Sequence, residues 1–592
     1  MNSVSVTGKN WILKKFDQEK IVYLKDNFSL DEITAKLLVL RNIKKEDINS
    51  FLNPSIKNLL PNPNSLLDME KSSLRTLQAI KNKEKIGVFG DYDVDGATST
   101  ALLGRYFDEL KLSYEIYIQD RKTEGYGPSI KGFKELIKKD VKVIFTVDCG
   151  TLSFEAIDYA KTKNIDVIVL DHHQSEINLP RAYSIVNPNR LDDESNLQYL
   201  CAAGVSFMFL VSINRQLRLI DWFKNNSTNE PNLINYLDLV SLGTVCDVVP
   251  LVGLNRAIVK QGLKILKAKE NLGLKTLLDI CKIETSPSSY HVGYILGPRI
   301  HAGGRVGKCS HGANLLLNSN PKKVFKLAIE LDQYNKERKM LEKDLIEKIL
   351  IESKNKLKDP VLILQGEDWH EGIIGIVASR LKDKFNKPAI IISLNGDIGK
   401  ASARSIVGFD IGSAIIAATQ EKILLKGGGH KMAGGFSIDI SNIEKFKQFI
   451  IRKFKNINED LTQQKPLFLD SKIAPSAINL EFYDKINVLS PFGSGNPEPR
   501  FIIENLKPVN SKIVGDKHIK SVLIGAEGTS VKTIAFNAAD NELGAYLLKK
   551  NNKTFNIAGK LYLNEWRGQK NVEFIIDDIS VNKNNKNTVP SS

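Results

Sequence analysis

Four carboxylates and two adjacent imidazoles carry the clearest chemistry in this chain: Asp93, Asp95, Asp148, Asp247, His172 and His173. They close apolar runs. These are Ile86-Gly-Val-Phe-Gly-Asp91-Tyr-Asp93-Val-Asp95-Gly96, Val143-Ile-Phe-Thr-Val-Asp148, Ile165-Asp-Val-Ile-Val-Leu-Asp171-His172-His173 and Leu237-Asp-Leu-Val-Ser-Leu-Gly-Thr-Val-Cys-Asp247, with Tyr183-Ser-Ile-Val-Asn187 a weaker fifth. Brought to one point, bare carboxylates repel one another unless cations lie between them. Carboxylates with imidazoles and no candidate thiolate pair suit Mn²⁺ or Mg²⁺ better than structural zinc. Two such ions about 3.5–4 Å apart can bridge a water, lower its pKa and stabilise both oxygens of a phosphoryl displacement. No serine or cysteine nucleophile is then required. Asp171, just before the imidazoles, reads as a carboxylate that orients a ring rather than a direct ligand.

Short β-rich apolar runs between helical patterns read as buried parallel strands. In an open α/β sheet the carboxyl ends of such strands converge on one crevice. All four clear runs, the one ending at Asp247 included, are therefore expected as strands. Singly, each residue has a plainer reading. An aspartate after a strand often caps a helix, with Asp95 the candidate cap for a helix starting at Gly96, and a lone histidine is usually structural. Accumulation at equivalent strand ends, with three acids at alternate positions, favours the metal site.

These residues also carry a resemblance. Gly-Asp-Tyr-Asp-Val-Asp-Gly, Val-Asp-Cys-Gly, Asp-His-His and Leu-Gly-Thr-Val-Cys-Asp-Val-Val-Pro resemble the successive motifs of the DHH phosphoesterase superfamily. The first is similar to the form found in its RecJ single-strand-specific exonucleases. By position, the resemblance makes Asp93, Asp95, Asp148, His172, His173 and Asp247 the metal ligands, and Asp91 a further ligand or supporting group. Phe89 stands near where smaller members of the superfamily carry a metal-binding histidine.

At 592 residues the chain exceeds one core and should divide into three or four domains. Its 42% hydrophobic and 26% charged residues are those of an ordinary globular protein. Five dispersed cysteines without a Cys-x-x-Cys pair argue against a disulfide framework or zinc ribbon and fit a reducing cytoplasm. Met1 to Lys20 has no apolar core of signal length, and no run reaches transmembrane length, so no membrane association is expected. A net charge of +15 favours a polyanionic partner, although Lys, Asn and Ile abundant throughout can also follow from genome base composition.

Along the chain, residues 1–70 mix a hairpin-like start with helices and end in proline punctuation. Residues 71–310 alternate strand and helix patterns. Residues 311–358 hold a long amphipathic helix from Pro321, with Val324, Leu327, Leu331, Tyr334, Leu341, Leu345 and Ile349 on one stripe. It would span about 50 Å, either separating two domains or packing along one. A second α/β unit occupies 359–465, and 466–582 change to short alternating strands that suggest a small β-barrel. The polar tail 583–592 is expected to be disordered. The fold class is thus two α/β domains joined by a long helix, plus a C-terminal barrel, for which the resemblance implies an OB-fold.

The run Lys426-Gly-Gly-Gly429-His430 offers glycines that allow φ > 0 and bring N–H groups to an anion, unless it is a plain glycine-rich turn with a surface histidine. It resembles the Gly-Gly-His signature of the DHH-associated domain, which implies substrate contacts from Gly428, Gly429 and His430. The segments around Arg404 and from Trp369 to Ser379 and Arg380 are similar to that domain in its RecJ form. Arg299 and Arg305 resemble a RecJ segment facing the active site, although the family usually has Asn at His301 and Ala at Gly303. Arg121 with Gly125-Tyr126-Gly127 resembles another family loop, where Tyr126 could stack on a base. Arginine offers a planar fork to phosphate oxygens. Pro491-Phe-Gly-Ser-Gly-Asn496-Pro497 and Asn564-Glu-Trp566-Arg567 resemble segments of the RecJ OB-fold, with Trp566 read as a core or strand-edge aromatic.

The resemblance implies a 5′→3′ exonuclease specific for single-stranded DNA, holding two Mn²⁺ or Mg²⁺ ions and serving repair and recombination. It also implies a cytoplasmic monomer that works with a single-strand-binding protein and a helicase. A DHH phosphodiesterase for short oligonucleotides or cyclic dinucleotides shares these motifs but usually lacks the barrel. A non-catalytic strand-binding scaffold fits less well, because every ligand position is filled.

Overall fold

The computed structural model describes residues 3–121, 123–455, 465–549, 554–566 and 568–582. The tail from residue 583, Arg567 and the side chain of Trp566 lie outside the described residues. There are two compact units. One holds Leu60–Val249 with the described residues of Gln261–Gln463, the other the described residues of Met1–Leu59, Pro250–Lys260 and Gln464–Ser592.

The first unit contains two sheets. In its first sheet the strands Tyr114–Ile118, Lys85–Gly90, Val141–Val147, Asp166–Leu170 and Ser184–Val186 lie side by side in that order, all parallel. Their Val, Ile and Phe residues suit a pleat buried on both faces. Helices Val94–Glu109, Ile130–Ile137, Phe154–Thr162 and Ala202–Leu219 pack on it. In chain order the strands run 2-1-3-4-5, so the winding reverses beside Lys85–Gly90, the switch point where such sheets bind ligands.

The run ending at Asp247 is not a strand. It is a helix, Leu237–Cys246, with Asp247 as its C-cap. Residues 237–244 are all buried, so the helix has no solvent-facing side. A short run of that kind reads alike as strand or buried helix.

The second sheet has the order Lys426–His430, Ala433–Asp439, Ile398–Arg404, Ala389–Asn395, Leu362–Glu367, antiparallel except for the last pair. The glycine run is therefore an edge strand rather than a loop, with Gly429 in an extended conformation at φ +158°. At Gly427 the need is for space: a Cβ there would lie 2.7 Å from Ile415, and one on Gly434 of the neighbouring strand 2.5 Å from the same side chain.

Helix Pro321–Glu352 joins the two sheets and ends a few residues short of the expected stretch. The Asn320 side chain accepts from the N–H groups of Lys322 and Lys323, and proline fills the first turn. Val324, Leu331, Leu345 and Ile349 are buried, whereas Leu327, Tyr334 and Leu341 are half-buried. Midway the buried face turns polar, with Asp332, Asn335, Arg338 and Glu342. The helix packs on Leu272–Ile280 and Gly297–Ile300 from the first part and on Glu371–Phe385 from the second.

In the second unit five strands close into a barrel. Phe501–Val514 pairs with His518–Ile524, that strand with Ser530–Ala535, and that one in parallel with Gln569–Asn582. Gln569–Asn582 pairs with Phe555–Trp566, which returns to Phe501–Val514. The expected hairpin-like start does not form. Ser3–Ser5 adds to Gln569–Asn582, and Asn10–Leu13 pairs with Pro466–Leu469. Asp578 explains this, since its carboxylate accepts from the Ser5 and Thr7 hydroxyls and the Trp11 indole at 2.5, 2.9 and 2.7 Å.

A fully buried guanidinium ties this unit together. Arg256 donates to the carbonyls of Phe51, Leu489, Ser490 and Pro491 at 2.7–3.3 Å and lies 3.8 Å over the Phe51 ring. Burial pushes its pKa down to about 9. Asn496 adds amide hydrogen bonds to Leu489 and Pro491 and accepts one from Arg41. Arg256→Ala strands buried carbonyls and should cost about 3 kcal/mol, read as a lower urea midpoint for unfolding of this unit. An unchanged midpoint would mean that the carbonyls are satisfied without it.

Candidate metal centre

The parallel strands end in step. Gly90 pairs with Val147, Val147 with Leu170 and Leu170 with Val186. The next residues, Asp91, Asp148, Asp171 and Asn187, therefore form a row across the sheet. The amides of the first three donate to the carbonyls of Val147, Leu170 and Val186 at 3.3, 3.0 and 3.1 Å. Gln119 extends the row, its amide 2.8 Å from Asp91 Oδ1. Asp148 sits at φ +62°, a region an aspartate tolerates better than most residues.

Helix Val94–Glu109 supplies two more acids. Its cap is Asp93, not Asp95: the Asp93 carboxylate accepts from Gly96 N–H at 3.0 Å. Asp95, in the first turn, accepts from the N–H groups of Ala202 and Ala203 at 2.6 and 2.9 Å, the first turn of Ala202–Leu219. Close packing fixes both. A Cβ on Gly96 would lie 2.5 Å from the Asp91 carbonyl, and one on Gly243 2.6 Å from Asp95 Oδ1. Gly243 belongs to the helix that delivers Asp247.

All seven expected ligands meet. Ligand atoms lie within 4.8 Å of one another in three sets: Asp148, His172 and His173; Asp95, His172 and Asp247; Asp91, Asp93 and Asp148. Asp148 and His172 each belong to two sets. His172 Nε2 is 3.3 Å from Asp148, 3.6 Å from Asp247 and 3.8 Å from Asp95. Asp148 Oδ1 and His172 Nε2 are buried, with no hydrogen-bond partner among the described residues.

The electrostatics carry the strain. Burial and then neighbouring carboxylates push Asp91 and Asp148 well above the ordinary carboxyl range. Burial also raises Asp95, and burial with Asp95 and Asp93 lifts Asp247 to about 8. Burial lowers His172, leaving the neutral imidazole that ligates metals. Burial likewise raises the thiols of Cys149 and Cys201 beside the site, so thiolate ligation is disfavoured. Crowded acids, unpartnered acceptors and protonated thiols fit hard divalent cations.

Asp171 holds the imidazole end. Its Oδ1 is 2.8 Å from His173 Nδ1 and accepts from the His172 and His173 amides. Oδ2 accepts from the Thr151 amide and hydroxyl at 3.0 and 2.6 Å. Burial opposes charge at both members of the pair, yet their attraction prevails, lifting His173 to about 9 and holding Asp171 low. Asn187 donates to Thr151 Oγ1 and to the His173 carbonyl, both at 2.8 Å, and Asn189 donates to the His172 carbonyl. Thr151 and Asn189 gave no sequence signal of their own, and Asn187 only its strand-end position. The Tyr126 hydroxyl lies 3.1–3.2 Å from both His173 ring nitrogens, while the residue stays 55% exposed.

The expected phosphate ligands divide. Burial lowers Arg305 and Arg404, nearby Arg121 adds to both, and Arg338, from the middle of the long helix, adds at Arg305. Burial and then these cations bring Arg305 down to about 9, and they hold the neighbouring His301 neutral. Arg305 also donates to Gly372 O at 3.0 Å, and Arg121 lies over the Tyr92 ring. Arg299 instead pairs with Asp332 at 2.9 Å, and Arg380 with Glu342 at 2.8 Å. Ser379 is half-buried, and Gly428, Gly429 and His430 stand on the edge strand with His430 exposed. Sequence reasoning missed Arg338, which sits in a helix otherwise read for its apolar stripe.

A parallel sheet whose ends gather acids and paired imidazoles defines the DHH class. Residues 85–244 match the DHH family N-terminal domain, 358–456 the DHHA1 domain and 469–578 the RecJ OB domain. The chain is 32% identical over 582 residues to the single-stranded-DNA-specific exonuclease RecJ of Haemophilus influenzae, covering 96% of this chain and 99% of that protein. It is 34% identical over 549 residues to the Escherichia coli protein of the same name, covering 89% and 92%. RecJ of Thermus thermophilus, solved in complex with Mn²⁺, superposes with a TM-score of 0.79 at 25% identity over 98% of this chain and 80% of that one. The chain belongs to the RecJ family.

Asp247 binds its proton more tightly folded than unfolded, so its contribution is complete below about 4 and lost as pH rises through about 8. His173 contributes fully below about 6.5 and loses its contribution through about 9. The melting midpoint of metal-free protein should therefore fall as pH rises across this window. Mn²⁺ binding should release protons near neutral pH and tighten as pH rises. Calorimetry in buffers of different ionisation enthalpy measures this, and binding without proton release would contradict the assignment.

Proposed function

We propose that this chain is a single-stranded-DNA-specific exonuclease that hydrolyses phosphodiester bonds from the 5′ end with two divalent ions, Mn²⁺ or Mg²⁺. Asp93, Asp95, Asp148, His172, His173 and Asp247 hold them, with Asp91 beside them. One observation carries the reading: strands ending in step, one helix start and one helix end bring seven ligands together around acceptors that lack hydrogen-bond partners among the described residues. When bound, the ions supply an activated water and neutralise charge on the phosphate.

The remaining roles fall to the protein. Asp171, braced by Thr151, orients His173, and Asn187 and Asn189 fix the backbone of the imidazole pair. Arg121, Arg305, Arg338 and Arg404 bind backbone phosphates, which gives affinity without sequence preference. Arg299, Ser379, Arg380, Gly428, Gly429 and His430 line the strand path farther out, and Tyr126 meets the terminal nucleotide. We assign the barrel a strand-binding role. Polarity, the place in repair and recombination, the cytoplasm and the partnership with a single-strand-binding protein and a helicase follow from the family. No helix among the described residues is long and apolar enough to cross a membrane. The barrel favours long strands over short oligonucleotides or cyclic dinucleotides as substrates.

Single-stranded DNA labelled at either end, beside its duplex, tests the reading. Immediate release of 5′ label from the single strand with Mn²⁺ and none with EDTA is expected. Asp148→Ala should abolish release while leaving strand binding largely intact. Degradation confined to oligonucleotides of a few residues would point to the small-substrate phosphodiesterase.

Arg404→Ala should weaken binding of all sequences alike and lower the salt slope by about one. An unchanged slope measured by titration with KCl would remove Arg404 from the phosphate path.

A further inference from the structure

Tyr290 and Tyr294 leave large aromatic surface in water, 60% and 74% exposed. Their rings stack on each other, centroids 5.3 Å apart at 28°. The pair rides on the π-helical turn His291–Leu296 and the residue before it. Such turns are rare and concentrate at functional sites. Single exposed aromatics are ordinary, but a stacked, solvent-facing pair is a ready π surface.

Its place matters. The turn packs on the end of the helix that delivers Asp247. A Cβ on Gly293 would lie 3.3 Å from Val245, Cys246 Sγ is 3.7 Å from the Val292 carbonyl, and Gly297 has no room for a side chain beside Cys246. The segment continues into Gly297–Ile300, which carries Arg299. Beyond Asp247, Val248 is 68% exposed at φ +61°, an unusual conformation for a β-branched residue. The segment that carries the aromatic pair is thus packed against the helix that ends at Asp247.

We propose that Tyr290 and Tyr294 form a base-stacking platform for nucleotides of the single-stranded substrate beside Asp247. The inference rests on the exonuclease reading above. Every base has a π face, so the platform holds the strand without reading its sequence. The arginine cluster meets phosphates, and the tyrosines meet bases.

The test uses full-length protein in EDTA, which prevents hydrolysis, and fluorescence anisotropy with two probes. One is a labelled oligothymidine, the other a strand of equal length with abasic sites. The wild type should prefer the oligothymidine by about tenfold. Tyr290→Ala/Tyr294→Ala should bind the abasic strand as the wild type does, which also reports an intact fold, and should lose the preference for bases. Tyr290→Phe/Tyr294→Phe should keep it. A double-alanine variant that retains the preference, or that weakens both probes equally, overturns the platform and leaves the exonuclease reading standing. Wild-type protein that neither binds nor digests single strands would overturn the exonuclease reading itself.

Discussion

Mutual repulsion of buried carboxylates is the constraint around which the first unit is arranged. Asp91, Asp95, Asp148 and Asp247 are brought together where burial already disfavours charge, and each is raised in consequence. Such a cluster persists only if the scaffold over-determines it. Here the scaffold is the common termination of four parallel strands, which leaves no freedom in where Asp91, Asp148 and Asp171 emerge. Glycines at 96 and 243 let backbone and neighbouring helix close against the acids.

Relief comes unevenly. Asp93 and Asp95 lie at the start of Val94–Glu109, and Asp95 also receives the N–H groups of Ala202–Leu219, so helix N-termini offset part of their charge. Asp171 is offset by His173. Asp148 has no helix start, its Oδ1 has no hydrogen-bond partner among the described residues, and the cationic His173 that Asp171 holds stands 3.9 Å away. A short distance along the same unit the converse holds. Arg121, Arg305, Arg338 and Arg404 crowd one another, with Glu342 the anion paired to Arg338. Uncompensated charge of both signs suits a substrate with anionic oxygens and cations between them and the acids.

The strands were legible because buried parallel strands must be rich in Val, Ile and Phe, and their ends are marked by an abrupt change to acid or imidazole. The barrel region was legible from its turn spacing, but its closure was not, since that depends on pairing Ser530–Ala535 with Gln569–Asn582 across a helix. The glycine run misled because glycine serves two needs, positive φ and lack of volume, and at Gly427 the second governs. Arg338, Thr151 and Asn189 could not be found by pattern. Each acts through a partner distant in sequence, and residues of its kind are common on ordinary surfaces.

Asp247 was expected at a strand end and reaches the cluster from a helix end instead, and the physics of that difference is informative. A helix and a strand can deliver a carboxylate to the same point, but they do not treat its charge alike. At a helix C-terminus the partial negative charge of the carbonyls adds to the carboxylate's own. Asp247 therefore meets burial, the Asp95 and Asp93 carboxylates and an unfavourable helix end together. Unlike Asp93 and Asp95 it has no helix start to offset this, so a bound cation matters to it more than to them. The turn that bears Tyr290 and Tyr294 packs on this same helix end.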